Sequence, residues 1–286
     1  MITIQKLLKK KSIGEKIVML TAYDYPLAWI IEKAELDMIL VGDSGGMVKL
    51  GYTNTIPVTM EEMLSMVKAV RRGAPSTFVI ADLPFMSYNI SKEQAIKNAG
   101  RMVKEGGADA VKLEGGKRMS ETIRSIVNAG IAVQGHIGIT PQNITQLSGF
   151  RSQGRDYDSA KALIEDAFEL EKAGVFSIIF EAVPEKLSNF LTKRLKIPTI
   201  GTGAGSGCDG QNLITPDILG YYNSFLPKYA KKYIDLNDII FKAICDYKDD
   251  VKKVIFPSKE HTYLLKNEAF LDDLLKEFDN TKERIS

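Results

Sequence analysis

One recurring pattern constrains the fold of this chain more than any other feature: an amphipathic segment, a break at small residues, and a short apolar run. Six such places read "EKAELD-MILVGD", "RRGAPS-TFVIAD", "KEGGAD-AVKLEG", "VNAGI-AVQGH", "EKAGV-FSIIFEA" and "LKIP-TIGTGAG". Glycine is typical of a helix end because it accepts the left-handed backbone without a Cβ clash. The apolar runs alternate too little for a sheet with one wet face, so they predict strands buried on both faces and joined through helices as a parallel sheet.

Two more segments bring the predicted strands to eight, "KIVMLTAYD" near the start and "NLITPDILG" after the glycine-rich run. Eight strand–helix units in roughly 230 residues match a closed (β/α)8 barrel. A chain of 286 residues that is 44% hydrophobic can bury such a core. We predict an α/β fold: a single-domain TIM barrel, the catalytic domain, over residues 1–262, with extra C-terminal helices that include a helical tail over 263–286.

Residues typical of helix N-termini support the predicted helices. Thr59 is a predicted N-cap before "MEEMLSMVKAVRRG", and Ser91 is a second, with Gln94 in the capping-box position. An open doubly wound sheet is the alternative, because "GSGCDG" at 205–210 fits the dinucleotide pattern G-x-G-x-x-G. That string lies late in the chain, and "QNLITPD" after it does not have the pattern of the required helix.

Charge and cysteine content narrow the class of protein. With 38 Lys and Arg against 36 Asp and Glu, nothing indicates a nucleic-acid or membrane partner. Cys208 and Cys245 are too few for a disulfide framework and read as inert thiols. The N-terminal stretch lacks the apolar core of a signal peptide, so we predict a cytoplasmic protein.

Polar residues stand where the predicted strands end, which in a (β/α)8 barrel is the catalytic face. A lone Asp there is more often a turn or helix cap than a ligand, but recurrence on at least five strands favours a site. The residues are Asp24, Asp43 with Ser44, Asp82, Lys112 with Glu114, His136, Glu181 and the glycine run 201–207.

Three of these side chains, Asp43, Asp82 and Glu114, would bring carboxylates together, which is costly unless a cation lies among them. The absence of a Cys or His cluster favours Mg²⁺ over Zn²⁺. Lys112 suits an anionic substrate, and an ion pair with Glu114 is an equally good interpretation.

Two further residues have open interpretations. Glu181 is a candidate general base because apolar residues follow it, and it is also a candidate cap for the helix "PEKLSNFLTKRL". His136 is a base, a hydrogen-bond donor or a satisfied interior histidine.

The string "GDSGG" at 42–46 resembles the nucleophile motif of trypsin-like proteases. A trypsin-like triad needs its histidine before the serine, and both histidines, His136 and His261, follow Ser44. Ser44 is therefore not predicted to be a nucleophile.

The blocks "KIVMLTAYDYPLA", "ILVGDSGGMVKLGYTNTIPVTMEEM", "FVIADLPFMSY", "AVKLEGG", "VQGHIGITPQ", "FEAVPEKL", "IGTGAGSGCDGQ" and "FPSKEH" resemble the ketopantoate hydroxymethyltransferase (3-methyl-2-oxobutanoate hydroxymethyltransferase) family, in its order, over nearly the whole chain. The resemblance implies a phosphoenolpyruvate/pyruvate-like barrel that transfers a hydroxymethyl group from 5,10-methylenetetrahydrofolate to 3-methyl-2-oxobutanoate through a Mg²⁺-stabilised enolate, in pantothenate biosynthesis. It implies homo-oligomers, often decamers.

The resemblance also implies roles for individual residues. Asp43 and Asp82 bind Mg²⁺ directly and Glu114 acts at or next to the ion. Glu181 is the proton acceptor. The residues implied to contact the 2-oxo acid are Asp43, Ser44, Asp82 and Lys112. We assign His136 a secondary, hydrogen-bonding role.

Four positions depart from the family pattern, which usually has Leu at Gly45, Gly at Met86, Ile at Thr202 and Cys at Ala182. We expect Gly45 to add backbone freedom beside Asp43, and Met86 to add bulk near Asp82. Rival functions are a folate-independent Mg²⁺-dependent lyase or mutase on a barrel of the same type, a non-catalytic binding barrel, and a phosphate- or flavin-binding barrel using "GTGAG".

Overall fold

Eight parallel strands close into a barrel in chain order, and β8 pairs with β1. The structure is a computed structural model that describes residues 2–143, 152–222 and 226–282. The strands are β1 (Ile17–Thr21), β2 (Met38–Val41), β3 (Phe78–Asp82), β4 (Ala110–Glu114), β5 (Ala132–Gly138), β6 (Ser177–Glu181), β7 (Thr199–Thr202) and β8 (Gly210–Leu213). The predicted (β/α)8 fold is confirmed.

Helices connect the strands from β1 to β7 and also follow β8, whereas residues 203–209 join β7 to β8 without a helix. The helices are α1 (Ile4–Ile13), α2 (Tyr25–Lys33), α3 (Gly45–Val48), α4 (Met60–Gly73), α5 (Lys92–Lys104), α6 (Ser120–Asn128), α7 (Tyr157–Ala173), α8 (Glu185–Arg194), α9 (Thr215–Leu219), α10 (Leu236–Lys252) and α11 (Ala269–Lys282). Short 3₁₀ turns lie at Lys117–Met119, Pro141–Asn143 and Lys259–His261.

The predicted helix starts are largely confirmed. Thr59 forms a complete capping box with Glu62 at the start of α4. The Ser91 side chain accepts a hydrogen bond from the Gln94 N–H at the start of α5. The predicted reciprocal bond is wrong, because the Gln94 side chain accepts from the N–H of Ile90 instead.

Successive strand residues point to opposite sides of the barrel wall, as a strand's two-residue period requires. Met38 and Ile80 belong to an apolar cluster that also includes Leu7 of α1, whereas Ile39 and Val79 pack in the larger cluster with the helices. Every residue of β2, β3 and β4 is buried. The prediction of strands buried on both faces is confirmed for these three.

The last predicted strand is partly wrong. "NLITPDILG" forms only the end of β8, and its second half is the short helix α9. Pro216 stands in the first turn of α9, where a residue without an N–H is tolerated. The string "GSGCDG" leads directly into β8 rather than into a helix, so the dinucleotide alternative lacks the element it requires.

The chain divides into two compact units, Met1–Asp235 and Leu236–Ser286. The first contains the whole barrel, and the second contains α10 and α11. The domain division at residue 262 stays a prediction, and this structural boundary falls before it. Cys208 and Cys245 are free thiols, and their inertness stays a prediction. Within the described residues, no helix has the length and apolar character needed to cross a membrane.

Candidate active site

The alternation of strand residues determines which side chains reach the inside of the barrel. Ile80 is an interior residue, so Asp82, two positions later at the end of β3, faces the same way. Ala110 is also interior, and Lys112 and Glu114 follow it at the same period along β4. These charged side chains therefore close the carboxyl end of the apolar interior, which is the catalytic end of this fold.

Four charged side chains meet at this end, and all are buried. Asp82 accepts a hydrogen bond from Lys112 Nζ at 2.5 Å and another from the backbone N–H of Asp43 at 3.0 Å. Glu114 Oε1 lies 3.9 Å from the same ammonium. The ion pair anticipated between Lys112 and Glu114 is thus present, but the closer partner of Lys112 is Asp82.

The two aspartates are unfavourable as a bare pair of anions. Burial raises the pKa of Asp43 well above its usual value, and the charge of Asp82 raises it further. Burial also raises the pKa of Asp82, although Lys112 opposes the shift. A cation between neighbouring carboxylates would relieve this cost.

Gln142 is a central residue of the site that the sequence did not reveal. Its side-chain amide donates to Asp43 Oδ2 at 2.8 Å and to the carbonyl of Leu83 at 3.0 Å. Its backbone N–H donates to Glu114 Oε2 at 3.0 Å, and its amide oxygen accepts from the Tyr88 hydroxyl at 2.6 Å. Gln142 lies in the turn after β5 and is the last residue of the block "VQGHIGITPQ", so the resemblance to the family was the sequence signal that could have marked it.

His136 lies between two carboxylates. Its Nδ1 is 3.5 Å from Glu114 Oε1 and its Nε2 is 3.2 Å from Glu181 Oε2, without hydrogen-bond geometry at either nitrogen. Burial and the charge of Lys112 oppose protonation, but the two carboxylates outweigh them and raise the pKa of His136 to about 9. The interpretation as a satisfied interior histidine is therefore not supported.

Glu181 ends β6 beside this histidine, with its side chain 17% exposed. The N-cap of α8 is Pro184, with no side-chain hydrogen bond, so the alternative role of Glu181 as a helix cap is wrong. Ala182, the next residue, has φ of 49°, in the left-handed region that non-glycine residues rarely adopt. The left-handed residue therefore stands directly after the candidate base.

Ser44 does not contact a histidine. Its Oγ lies 2.9 Å from the hydroxyl of Tyr23, a buried residue after β1. Gly45 has a packing role, because an added Cβ would lie 2.7 Å from both the Met66 sulfur and the Tyr23 ring, and the expected backbone freedom stays a prediction. Those two larger side chains fill the space that a family-typical leucine would need.

Two other positions that depart from the family pattern, Met86 and Thr202, have defined surroundings in the structure. Met86 has φ of 63°, a conformation suited to the glycine usual in the family, and its side chain is 46% exposed. Thr202 is buried, and its Oγ1 accepts a hydrogen bond from Asn212.

Asp24 is a helix cap and not part of the buried cluster. Its side chain accepts a hydrogen bond from the N–H of Leu27 at the start of α2, as expected of an Asp that follows a strand.

Two carboxylates fit a magnesium site. The oxygens of Asp43 and Asp82 that accept hydrogen bonds keep a second lone pair, and Mg²⁺ is commonly bound through one or two carboxylates with water and substrate. Over the described residues, no group of three His, Cys, Asp or Glu is arranged to hold a metal ion. Glu114 is instead paired with Lys112 and His136, so its part in metal binding stays a prediction.

Fold and site together define a class, a (β/α)8-barrel enzyme with carboxylates and a lysine converging inside the carboxyl end of the barrel. Residues 1–259 match the family model of ketopantoate hydroxymethyltransferase. The chain belongs to this family of transferases of pantothenate biosynthesis, as the resemblance in sequence predicted.

Curated relatives agree with this assignment, and a solved structure agrees with the fold. The 3-methyl-2-oxobutanoate hydroxymethyltransferase of Heliobacterium modesticaldum is 51% identical over 267 residues, which cover 93% of this chain and 97% of that protein. The enzyme of that name from Moorella thermoacetica is 50% identical and covers 92% and 97%. Phosphonopyruvate hydrolase, solved with oxalate and Mg²⁺, has the same fold, with a TM-score of 0.59, 12% identity and full coverage of both chains.

Proposed function

We propose that this enzyme transfers a hydroxymethyl group from 5,10-methylenetetrahydrofolate to 3-methyl-2-oxobutanoate, giving 2-dehydropantoate (ketopantoate) for coenzyme A synthesis. The observation that carries the proposal is the continuous series of polar contacts from Asp43 to Glu181 across the barrel's carboxyl end, which begins at the Asp43 backbone N–H and continues through charged side chains. A homo-oligomer, predicted to be a decamer, in the cytoplasm belongs to the same proposal.

The buried cluster would recognise a 2-oxo acid. Lys112 and Ser44 would hold the substrate carboxylate, since an ammonium and a hydroxyl are both donors to an anion. Asp43 and Asp82 would hold Mg²⁺, with Glu114 beside it. When bound, the ion supplies a Lewis acid for the keto group, which lowers the cost of the negative charge that develops on enolisation.

Glu181 would remove the C3 proton of the substrate. It is the least buried of the carboxylates in this series, so a substrate can approach it. His136, 3.2 Å away, limits the positions that the Glu181 carboxylate can take. The resulting carbanion then accepts the one-carbon unit, and the loops after β2 and β3 would keep water from it.

The test is an assay with 3-methyl-2-oxobutanoate, methylenetetrahydrofolate and Mg²⁺. Ketopantoate should form with both substrates present and should not form in EDTA. Without folate, wild type should exchange the C3 proton in D₂O when Mg²⁺ is present. Product formation that does not need folate would favour the lyase or mutase alternative, and absence of both reactions would reject the proposed function.

Glu181→Gln tests the base. Loss of a general base should slow C3 exchange by about 100-fold or more. Glu165→Gln, an exposed change on α7, is the matched control and should exchange at the wild-type rate. Near-normal exchange in Glu181→Gln would show that another group removes the proton.

A further inference from the structure

One carboxyl at the rim of the barrel has no part in the site described above. Asp217 lies in α9, just after β8, and its side chain is half-buried. Among the residues that the structure describes, none donates a hydrogen bond to its carboxylate or forms an ion pair with it. Its helix is held to the barrel by Thr215, which donates from its N–H and its hydroxyl to Thr21 at the end of β1, at 3.0 and 2.5 Å.

The charge of Asp217 acts on two tyrosines, and one of them contacts the proposed site. The buried hydroxyl of Tyr23, which contacts Ser44, has a pKa raised by burial and also by the charge of Asp217. Burial raises the pKa of Tyr229 as well, and the charges of both Glu181 and Asp217 raise it further. Asp217 follows β8 and Tyr229 contacts the turn after β7, so both lie at the carboxyl ends of neighbouring strands, on the same rim as Glu181 at the end of β6.

Tyr229 gives this part of the rim a flat aromatic surface. A Cβ added to Gly203 would lie 2.6 Å from the Tyr229 ring, so the ring covers the glycine-rich turn after β7. The tyrosine is 36% exposed and can still receive a ligand. An aromatic surface beside a free carboxyl suits a planar, nitrogen-rich ligand, which describes a reduced folate.

The transfer reaction needs an acid–base group that the enolisation site does not provide. The one-carbon unit of the donor is bonded to two nitrogens, N5 and N10, and both bonds must break while water supplies the hydroxyl oxygen. Asp43, Asp82 and Glu114 are already engaged by Lys112, Gln142 or His136. Glu181 is needed at C3 of the 2-oxo acid, so Asp217 is the carboxyl at this end of the barrel that is not engaged by another side chain of the described residues.

We propose that Asp217 is the acid–base residue for the folate half of the proposed reaction. Its carboxyl gives a proton to N10 as the C–N10 bond breaks, with the bond electrons going to N10 and an iminium forming at N5. Water then adds to the iminium carbon, the C=N electrons return to N5, and the carboxylate of Asp217 takes the proton that water releases.

The second nitrogen leaves in the same way. Asp217 gives its proton to N5 as the C–N5 bond breaks, and it takes the hydroxyl proton, which releases formaldehyde next to the carbanion. The carbanion carbon bonds to formaldehyde, and the new alkoxide takes back the proton held by Glu181. Both carboxyls return to their starting states, and one water is consumed. Burial raises the pKa of Asp217 to about 6, within the range in which a carboxyl can both give and take a proton near neutral pH.

Asp217→Asn separates this role from the proposed function on which it rests. We expect turnover with methylenetetrahydrofolate, measured with a formaldehyde scavenger, to fall about 100–1000-fold in kcat. Folate-independent C3 exchange, and product formation from added formaldehyde, should stay within about 3-fold of wild type because neither needs a carbon–nitrogen bond to break. Asp217→Glu should recover part of the folate-dependent rate.

The control is Asp158→Asn, the same change at an exposed first-turn position of α7, which should match wild type in all three assays. A folate-dependent rate of Asp217→Asn near wild type would overturn the proposal. So would an equal loss with both donors, a loss of C3 exchange, or a change confined to KM for folate. Wild type that neither exchanges nor forms product would reject the proposed function itself.

Discussion

Lys112 is the ammonium group among the buried carboxylates, and Lys112→Met removes its charge while keeping a side chain of similar length. At an effective dielectric constant of 20, the 2.5 Å contact with Asp82 and the 3.9 Å contact with Glu114 are worth about 7 and about 4 kcal/mol of gross attraction. Desolvation offsets much of this. Breaking a buried pair by removing one partner typically costs about 3–5 kcal/mol, because the remaining charge is buried alone.

Such a loss should be visible in thermal unfolding. For a chain of this size we expect Lys112→Met to lower the Tm by roughly 6–20 °C in EDTA. Adding Mg²⁺ should raise the Tm of the variant more than that of wild type, since the uncompensated carboxylates then bind the ion more strongly. Lys172→Met, which removes an exposed ion pair with Glu169, is the control and should change the Tm by about 1 °C or less.

A double variant tests the cause of this loss. Adding Asp82→Asn to Lys112→Met removes one of the two charges left unpaired, so the double variant should be more stable than Lys112→Met alone. A Tm of Lys112→Met within about 2 °C of wild type in EDTA would refute the reasoning. So would a double variant whose losses simply add.

Three further predictions concern other parts of the barrel. Gln142→Leu should raise the Mg²⁺ concentration for half-maximal activity by about 10–100-fold, because Asp43 loses its amide donor; an unchanged Mg²⁺ titration would contradict this. Gly138→Ala should lower the free energy of unfolding by more than about 2 kcal/mol, because φ is 103° and the new Cβ would lie 2.1 Å from the Glu181 carbonyl oxygen. Gly100→Ala, in open space on α5, should instead stabilise by about 0.5–1 kcal/mol in the same denaturant titration. Asp217→Asn should be more stable than wild type at pH 7.5, by less than about 1 kcal/mol since the carboxyl is half exposed. Its pKa is raised to about 6, so the penalty for ionising it is full above pH 6 and declines below; a difference that grows from pH 7.5 to pH 5 would show the sign to be wrong.

Much of the site could be located from the sequence because a parallel barrel brings all strand ends to one face. Once β3 and β4 were recognised by their apolar runs, the positions of Asp82 and Glu114 at one end of the barrel followed. Lys112 was placed with Glu114 because both stand at the end of the same predicted strand. These inferences need only the chain's local pattern and the closure of the barrel.

Other features depended on contacts between distant parts of the chain. Asp43 and Gln142 are 99 positions apart, and their hydrogen bond exists because the turn after β5 reaches across the strand ends. Thr215 and Thr21, 194 positions apart, join β8 to β1 only when the barrel closes. The packing around Gly45 is a third such feature, because the ring of Tyr23 and the sulfur of Met66 occupy the space of a side chain at this position.

The sequence by itself determined the barrel, its strand order and the charged residues at its carboxyl end, because strand burial and helix ends are written in local residue patterns. The tertiary structure decided how those charges are paired: Lys112 with Asp82, His136 between two glutamates, and Asp217 left without a partner among the described residues. Pairing depends on distances of a few ångströms between segments far apart in the chain. Such distances exist only after the barrel has closed.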